Sequence, residues 1–296
     1  MALPLVRDGG RFRGAWRLPV ADAAIALAMG LPIIALVWLA AASLGDAGAF
    51  GSPMLPVALR ETGLLLAAVG AATAMLGLVA AWIVAHFTFP GRRAFEWAFI
   101  LPLAIPTYLS AFAWVEVLEF TGPVQAALRA LTGAESARDY WFPAIRSLPG
   151  AAFVMSLVLY PYVYLSCRAY FFMQSGAVAA AARTLGASPA RTFLRIVVPL
   201  SRPALIVGVT LALLEVMNDL GAVEFFGVNS LTAVVYATWI NRSNLPGAAQ
   251  LALTLVVIVL ALIWLEQHAR RRRSYLMPRD SQTPPPRTPL KGFGAT

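Results

Sequence analysis

The chain has 296 residues, of which 59% are hydrophobic and 12% are charged, and its mean hydropathy is +0.73. Soluble domains carry about 25% charged residues, so this composition cannot cover a water-exposed surface and excludes an ordinary soluble protein. The formal net charge of +9 does not indicate nucleic-acid binding, because the basic residues lie in short tracts between apolar segments, as membrane topology requires.

Six stretches of the sequence are long and apolar enough to cross a bilayer, which takes about 20 helical residues. In chain order they are 21–44, 62–87, 95–119, 148–170, 203–221 and 248–268. The first stretch exceeds a signal-peptide core of about 7–15 residues, so we expect it to remain as a membrane helix. The sequence therefore predicts an all-α, polytopic membrane protein with about six transmembrane helices.

The distribution of basic residues predicts the organisation and orientation of the chain. We expect a cytoplasmic N-tail over 1–20, a six-helix domain over 21–270 with a long inner loop at 171–202, and a basic, proline-rich cytoplasmic tail or linker over 271–296. With both termini in the cytoplasm, the inner segments hold 18 of the 23 Lys and Arg residues. The positive-inside rule favours this orientation.

The loop over 171–202 predicts two short helices joined by a glycine hinge. Its first part is an alanine run that includes Ala180, Ala181 and Ala182, and alanine is the best helix former. Gly186 suits the end of that helix, since glycine adopts the left-handed conformation freely. Ser188 is a favourable cap for the second helix, and the proline after it fits the first helical position.

The second predicted helix of this loop is amphipathic. Phe193, Ile196 and Val197 share one face, while Arg191 and Arg195 lie on another. A helix of this kind can dock onto a partner protein, and it can equally lie flat on lipid headgroups. The periodicity alone leaves both interpretations open.

The same loop resembles the EAA signature of ABC-importer permeases, which consists of Glu-Ala-Ala, a glycine, and then an apolar residue and a proline. The matching residues are Ala181, Ala182, Gly186, Ile196 and Pro199. Ala180 departs from the pattern, since the family usually has glutamate there. The resemblance implies that this loop is a coupling helix that seats in a groove of an ATP-binding subunit.

Four further segments, at 89–93, 101–108, 159–164 and 218–228, resemble the ferric-iron branch of these permeases. The resemblance implies an inner-membrane permease for iron(III) with three partners: an ABC-type ATPase, a periplasmic or extracellular substrate-binding protein, and a second permease half, fused or separate. Importers of thiamine, polyamines and phosphonate share much of the pattern and stay as alternatives. The sequence has no Walker loop, so we expect ATP hydrolysis in a partner and no cofactor here.

Polar and helix-breaking residues inside the spans form the candidate translocation pathway. Glu215 and Asp219 lie at i and i+4 in the fifth span, which predicts a shared helix face that attracts a cationic substrate. The alternative is that hydrogen bonds between helices neutralise them. Pro102, Pro106 and Pro161 predict kinks, which either shape the pathway or bend helices against their neighbours.

Other classes of function fit the sequence less well. A membrane-embedded enzyme would need convergent nucleophile, base or metal residues, but His86 and His268 are the only histidines and no metal-ligand spacing is present. An ion-coupled secondary transporter could use the two acidic residues of the fifth span, yet it would leave the EAA-like loop without a purpose. The single cysteine, Cys167, lies in an apolar stretch and is expected to pack as a small hydrophobe.

Overall fold

The computed structural model of the chain describes residues 20–42, 52–173, 186, 188–271 and 288–289. The α-helices in these ranges are α1 (Val20–Ala41), α2 (Met54–His86), α3 (Arg92–Ala98), α4 (Thr107–Leu118), α5 (Pro123–Thr132), α6 (Leu148–Met173), α7 (Pro189–Thr192), α8 (Val198–Asn218), α9 (Leu220–Phe225), α10 (Leu231–Tyr236) and α11 (Leu245–Arg271). A 3-10 helix (Leu101–Ala104) precedes α4, and π-helical segments precede α8 (Phe193–Val197) and follow α10 (Ala237–Asn241). Two-residue strands, β1 (Phe87–Thr88) and β2 (Thr288–Pro289), pair in parallel. The predicted all-α class is confirmed.

The predicted total of six spans is approximate. Among the described residues, four segments are long and apolar enough to cross a membrane, namely α2, α6, the combined segment Phe193–Asn218, and α11. The count becomes five if one bent pair of helices is taken as a span. The first predicted span overlaps α1, in which the fully described part, Ile25–Ala41, is apolar.

The third predicted span, 95–119, is wrong as a single helix. The segments Arg92–Ala104 and Thr107–Thr132 meet at an angle of 97°. The break lies at Ile105, whose φ of −105° and ψ of 122° are extended, directly before Pro106. Proline disfavours the helical conformation of the residue before it and cannot donate a backbone hydrogen bond, which favours a helix end at this position.

Helix α6 forms the centre of the bundle and packs against both α2 and α8, which also contact each other. Both contacts are made at glycines, because a Cβ atom at Gly77 would lie 2.6 Å from Cβ of Val163, and one at Gly208 would lie 2.6 Å from Cα of Val163. Pro161 is buried inside α6, which stays continuous through it. Cys167 is also fully buried in this core, as predicted.

The two ends of the bundle differ in their side chains. We call the end that carries His86, Arg92 and Phe171 the basic end, because Arg92 and Arg168 lie there. An ion-pair network at this end joins α3 to α6. In that network Glu96 pairs with Arg92 and, at 3.4 Å, with Arg168. The opposite end carries the first residues of α2 and α6 together with the last residues of α4.

Candidate functional site

A cavity of about 340 Å³ lies where two helix breaks meet. One break is at Ile105, between the 3-10 helix and α4, and the other is at Asp219, between α8 and α9. The cavity also reaches Val158, Leu159 and Tyr162 near the middle of α6. Its full lining is Leu103, Ile105, Pro106, Thr107, Tyr108, Val158, Leu159, Tyr162, Glu215, Asn218, Asp219, Leu220 and Gly221. Irregular backbone at membrane depth is tolerated where it lines a polar cavity, which is the arrangement seen here.

The charged residues that line this cavity are both acidic. Its lining residues include Glu215 and Asp219 but no Lys, Arg or His. In the part of the chain that the structure describes, Glu215 is half-buried, and its carboxylate forms neither a hydrogen bond nor an ion pair. An ionisable group at membrane depth without a charge partner favours a cation in the space that it faces.

Asp219 lies just beyond the end of α8, so it and Glu215 both reach the cavity but do not belong to one continuous helix. Helix α8 ends at Asn218, and Asp219 has extended backbone angles, with φ −86° and ψ 91°. Its Oδ1 accepts a hydrogen bond of 2.9 Å from the backbone N–H of Ala222, which makes it the N-cap of α9. Aspartate is among the preferred N-cap residues because its side chain satisfies a free backbone donor. Asp219 therefore holds the helix break open.

Helices α4 and α9 touch directly beside the cavity. A Cβ atom at Gly221 would lie 3.1 Å from Cβ of Tyr108, so the absence of a side chain there lets the two helices approach. The rings of Phe112 and Phe225 meet further along, with centroids 5.9 Å apart. These contacts fix the bent third segment against the second break.

The three prolines named from the sequence have different positions. Pro106 lines the cavity and precedes α4. Pro102 lies in the 3-10 helix next to the lining residue Leu103. Pro161 is on α6 beside the lining residue Tyr162 but is buried in the helix core and does not line the cavity.

The residues named in the loop over 171–202 are described only in part. Ala180, Ala181 and Ala182 lie outside the described residues. Gly186 is exposed and has a φ of +77°, the left-handed conformation expected of it. The Oγ of Ser188 accepts from the backbone N–H of Arg191 at 3.4 Å, as expected of an N-cap.

The second helix predicted for this loop is not a separate element. Four α-helical residues from Pro189 lead into the π-helical segment and then into α8, so the predicted helix is the start of the fifth span. The burial pattern agrees with the predicted faces, since Phe193 and Ile196 are half-buried whereas Arg191 and Arg195 are exposed. Pro199 is the second residue of α8, directly after the π-helical segment.

A group of rings at the basic end was not found by sequence reasoning. The ring of Phe193 lies 4.5 Å from that of Trp82 on α2, and the His86 ring lies 5.3 Å from that of Phe171 on α6, in centroid distances. Trp82 and His86 are one turn apart on α2, with centroids 6.4 Å apart. We call these four residues the ring clamp. The pairs connect distant segments, so the only sequence signal was the presence of aromatic residues at the ends of spans.

A bundle of apolar helices that surrounds a polar cavity halfway along its length is the architecture of a multi-pass membrane transport protein. Residues 73–275 match the family described as "Binding-protein-dependent transport system inner membrane component", and the chain belongs to this family. Its class is therefore a transport permease and not an enzyme, as the sequence predicted.

Relatives in this family are named for different substrates. The chain is 30% identical over 202 residues to a protein of Salmonella paratyphi A named as a 2-aminoethylphosphonate transport system permease, covering 67% of this chain and 68% of that protein. It is 25% identical over 195 residues to a sulfate transport system permease of Salmonella typhimurium, covering 64% and 67%. It is also 25% identical over 222 residues to a Fe(3+)-transport system permease of Haemophilus influenzae, covering 75% of this chain but only 39% of that longer protein.

Solved structures show the same fold. A bacterial ABC transporter for import of the polysaccharide alginate aligns with a TM-score of 0.64 at 16% identity, covering 86% of this chain and 98% of that chain. The MetNI methionine ABC transporter aligns with a TM-score of 0.56 at 16% identity, covering 75% and 98%. The predicted ABC importer permease fold is confirmed.

Proposed function

We propose that this chain is the permease subunit of a binding-protein-dependent ABC importer and that its substrate is iron(III). It moves substrate by alternating access around the cavity at the two helix breaks, driven by a separate ATPase subunit. The observation that carries the proposal is a cavity lined by two carboxylates and no basic side chain, in a chain that belongs to the permease family.

The charge of the cavity favours a cationic substrate over an anionic one. A dianion such as sulfate would enter a negative cavity against repulsion, which strengthens where water is excluded. Iron(III) has the opposite sign, and the Haemophilus relative is named for it. Thiamine and polyamines are also cations, so they are the competitors to be tested beside iron.

The partners follow from the two ends of the bundle. The basic end is cytoplasmic, since 18 of the 23 Lys and Arg residues then lie inside. The loop over 171–202, with Ala180, Ala181, Ala182 and Gly186, docks onto the ATPase subunit. A substrate-binding protein delivers iron to the opposite end, and a second permease half, fused or separate, completes the pathway within the lipid.

The two acidic residues have different roles in this mechanism. Glu215 faces the substrate, because its carboxylate has no partner in the described part of the chain. Asp219 is a positioning residue that caps α9 and so maintains the break. This assignment predicts different responses to neutral substitutions, since asparagine caps a helix as well as aspartate does.

The test is uptake of radioactive iron(III) by proteoliposomes that contain the permease with its second half, its ATPase and its binding protein, with ATP available to the ATPase. We expect Glu215→Gln to reduce uptake at least tenfold and Asp219→Asn to retain most of it, whereas Asp219→Leu loses it. Glu224→Gln is the matched control, because Glu224 is exposed on α9 and does not line the cavity.

Three outcomes would contradict the proposal. Full uptake by Glu215→Gln would remove the role of that carboxylate. ATP-dependent uptake of thiamine or a polyamine, but not of iron, would replace the substrate. Uptake that needs a proton gradient and no ATP would assign the chain to ion-coupled transport.

A further inference from the structure

We propose that the ring clamp transmits movement of the ATPase-docking loop to the transport cavity, with Trp82 as the central positioning residue. The inference rests on the proposed function, because it concerns how ATP hydrolysis elsewhere is coupled to this cavity. It adds residues of α2, which lies outside both the loop and the cavity lining.

Both ends of the loop are held at one turn of α2. Phe171 lies in the last turn of α6, where the loop begins; it is only 2% exposed, and its ring centroid is 5.3 Å from that of His86. The chain returns at Phe193, whose ring lies 4.5 Å from that of Trp82 at an angle of 40°. Trp82 and His86 are adjacent on the same face of α2. A displacement of the loop is therefore transmitted to α2 through residues at both ends of the loop.

Trp82 is held in place from a third side. The ring of Phe87, in the strand that follows α2, meets the indole edge-on at 4.9 Å and 88°. The ring of Phe193 contacts the same indole in a tilted geometry. Packed rings of this kind interlock and do not slide freely, since protein interiors are as dense as organic crystals.

The onward route from Trp82 to the cavity consists of close helix contacts. Gly77 lies five residues before Trp82 in α2, and a Cβ atom there would be 2.7 Å from the backbone oxygen of Tyr160 on α6. Gly208 of α8 makes an equally close approach to Val163 of α6. Tyr162, in the same turn of α6, lines the cavity together with Glu215 of α8. A shift of α2 is therefore passed directly to α6 and α8, which both bear cavity residues.

The helix geometry beside the clamp differs from its surroundings. Phe193 is the first residue of the π-helical segment that separates the loop from α8. Short π-helical segments inside α-helices occur frequently at functional sites. Phe193 thus lies at the point where the loop joins the membrane helix, and the Trp82 indole packs against it at that point.

The experiment compares substrate moved with ATP hydrolysed in the same proteoliposomes, using iron(III) as the probe. We expect Trp82→Ala and Phe193→Leu to assemble with the ATPase and hydrolyse ATP, but to move at least tenfold less iron per ATP than the wild type. Trp82→Phe, which keeps an aromatic ring, should recover most of the ratio. The double variant should be no worse than the more impaired single variant, because both remove the same contact.

Trp264→Ala is the matched control. Trp264 on α11 also stacks on a histidine one turn later, His268, with centroids 5.2 Å apart, but it is 63% exposed. We expect its ratio of transport to hydrolysis to equal that of the wild type. An equal loss in this variant would assign the effect to any tryptophan near the membrane surface and overturn the inference.

The remaining outcomes are separable. If Trp82→Ala does not fold, Phe193→Leu decides, since it retains an apolar side chain of similar size. A wild-type ratio in folded Phe193→Leu would overturn the inference while leaving the importer intact. Failure of the wild-type protein to show any ATP-driven uptake would instead refute the proposed function.

Discussion

The close contact at Gly77 predicts a large cost for adding a single methyl group. In Gly77→Ala the new Cβ would lie 2.6 Å from Cβ of Val163, 2.7 Å from the backbone oxygen of Tyr160 and 2.8 Å from the backbone nitrogen of Tyr164. Favourable contacts between carbon atoms are about 3.5–4.0 Å long, so α2 and α6 would have to separate by about 1 Å. No side-chain rotation relieves the overlap, because all three neighbours are backbone or Cβ atoms.

The magnitude follows from a comparison with Gly63, which lies on the same helix and whose added Cβ would meet nothing within 4 Å. Alanine gains about 1 kcal/mol of helix propensity over glycine at either position, so that gain cancels between Gly77→Ala and Gly63→Ala. The difference left is the overpacking cost, which is typically about 1–3 kcal/mol and belongs at the upper end for rigid neighbours. We therefore expect Gly77→Ala to be less stable than Gly63→Ala by about 3 kcal/mol.

The assay is thermal unfolding in detergent, followed with a dye that fluoresces on reaction with a thiol. Cys167 is the only cysteine of the chain and is fully buried in the core beside these contacts, so dye reaction reports the opening of that core. Gly63→Ala should unfold at or above the wild-type temperature, and Gly77→Ala clearly below it. Equal transition temperatures for the two variants would refute the close packing of α2 on α6.

Two further predictions concern segments outside the core contact. Backbone N–H groups of Ser136 and Glu135 donate to the Asp139 carboxylate at 2.7 and 3.0 Å, which lowers its pKa below the ordinary value of 3.8. The turn is therefore fully stabilised above pH 3.8 and weakens as the pH falls through the lowered pKa. An NMR titration of the Asp139 carboxyl should give a midpoint below 3.8. A midpoint at or above 3.8 would contradict the two hydrogen bonds. Thr62→Val should lower the free energy of unfolding by about 1–3 kcal/mol, since the Thr62 hydroxyl accepts the buried N–H of Leu231 at 2.8 Å, whereas Thr62→Ser should match the wild type.

The sequence predicted those parts of the fold that depend on local pattern. Hydropathy located the long helices, because span length is set by the thickness of the hydrocarbon core. The conformation of Gly186 and the cap at Ser188 followed from the backbone preferences of single residues. Each of these features needs only a few neighbouring residues to specify it.

The features that could not be predicted depend on contacts between distant segments. Pro106 indicated a kink, but its 97° size is set by the docking of α4 on α9 through Tyr108 and Gly221. The spacing of Glu215 and Asp219 fits a continuous helix equally well, and the break appears only because Asp219 caps α9. The contact of Trp82 with Phe193 left no periodic signal at all.

The bent third segment has a consequence for how the protein is made. A hydrophobic stretch is judged for membrane insertion by its total apolar length, and here that stretch reads as one span. Its final bend is fixed by Gly221 and Phe225, which are synthesised long after it. The contacts that fix this bend are therefore available only after α9 has been synthesised.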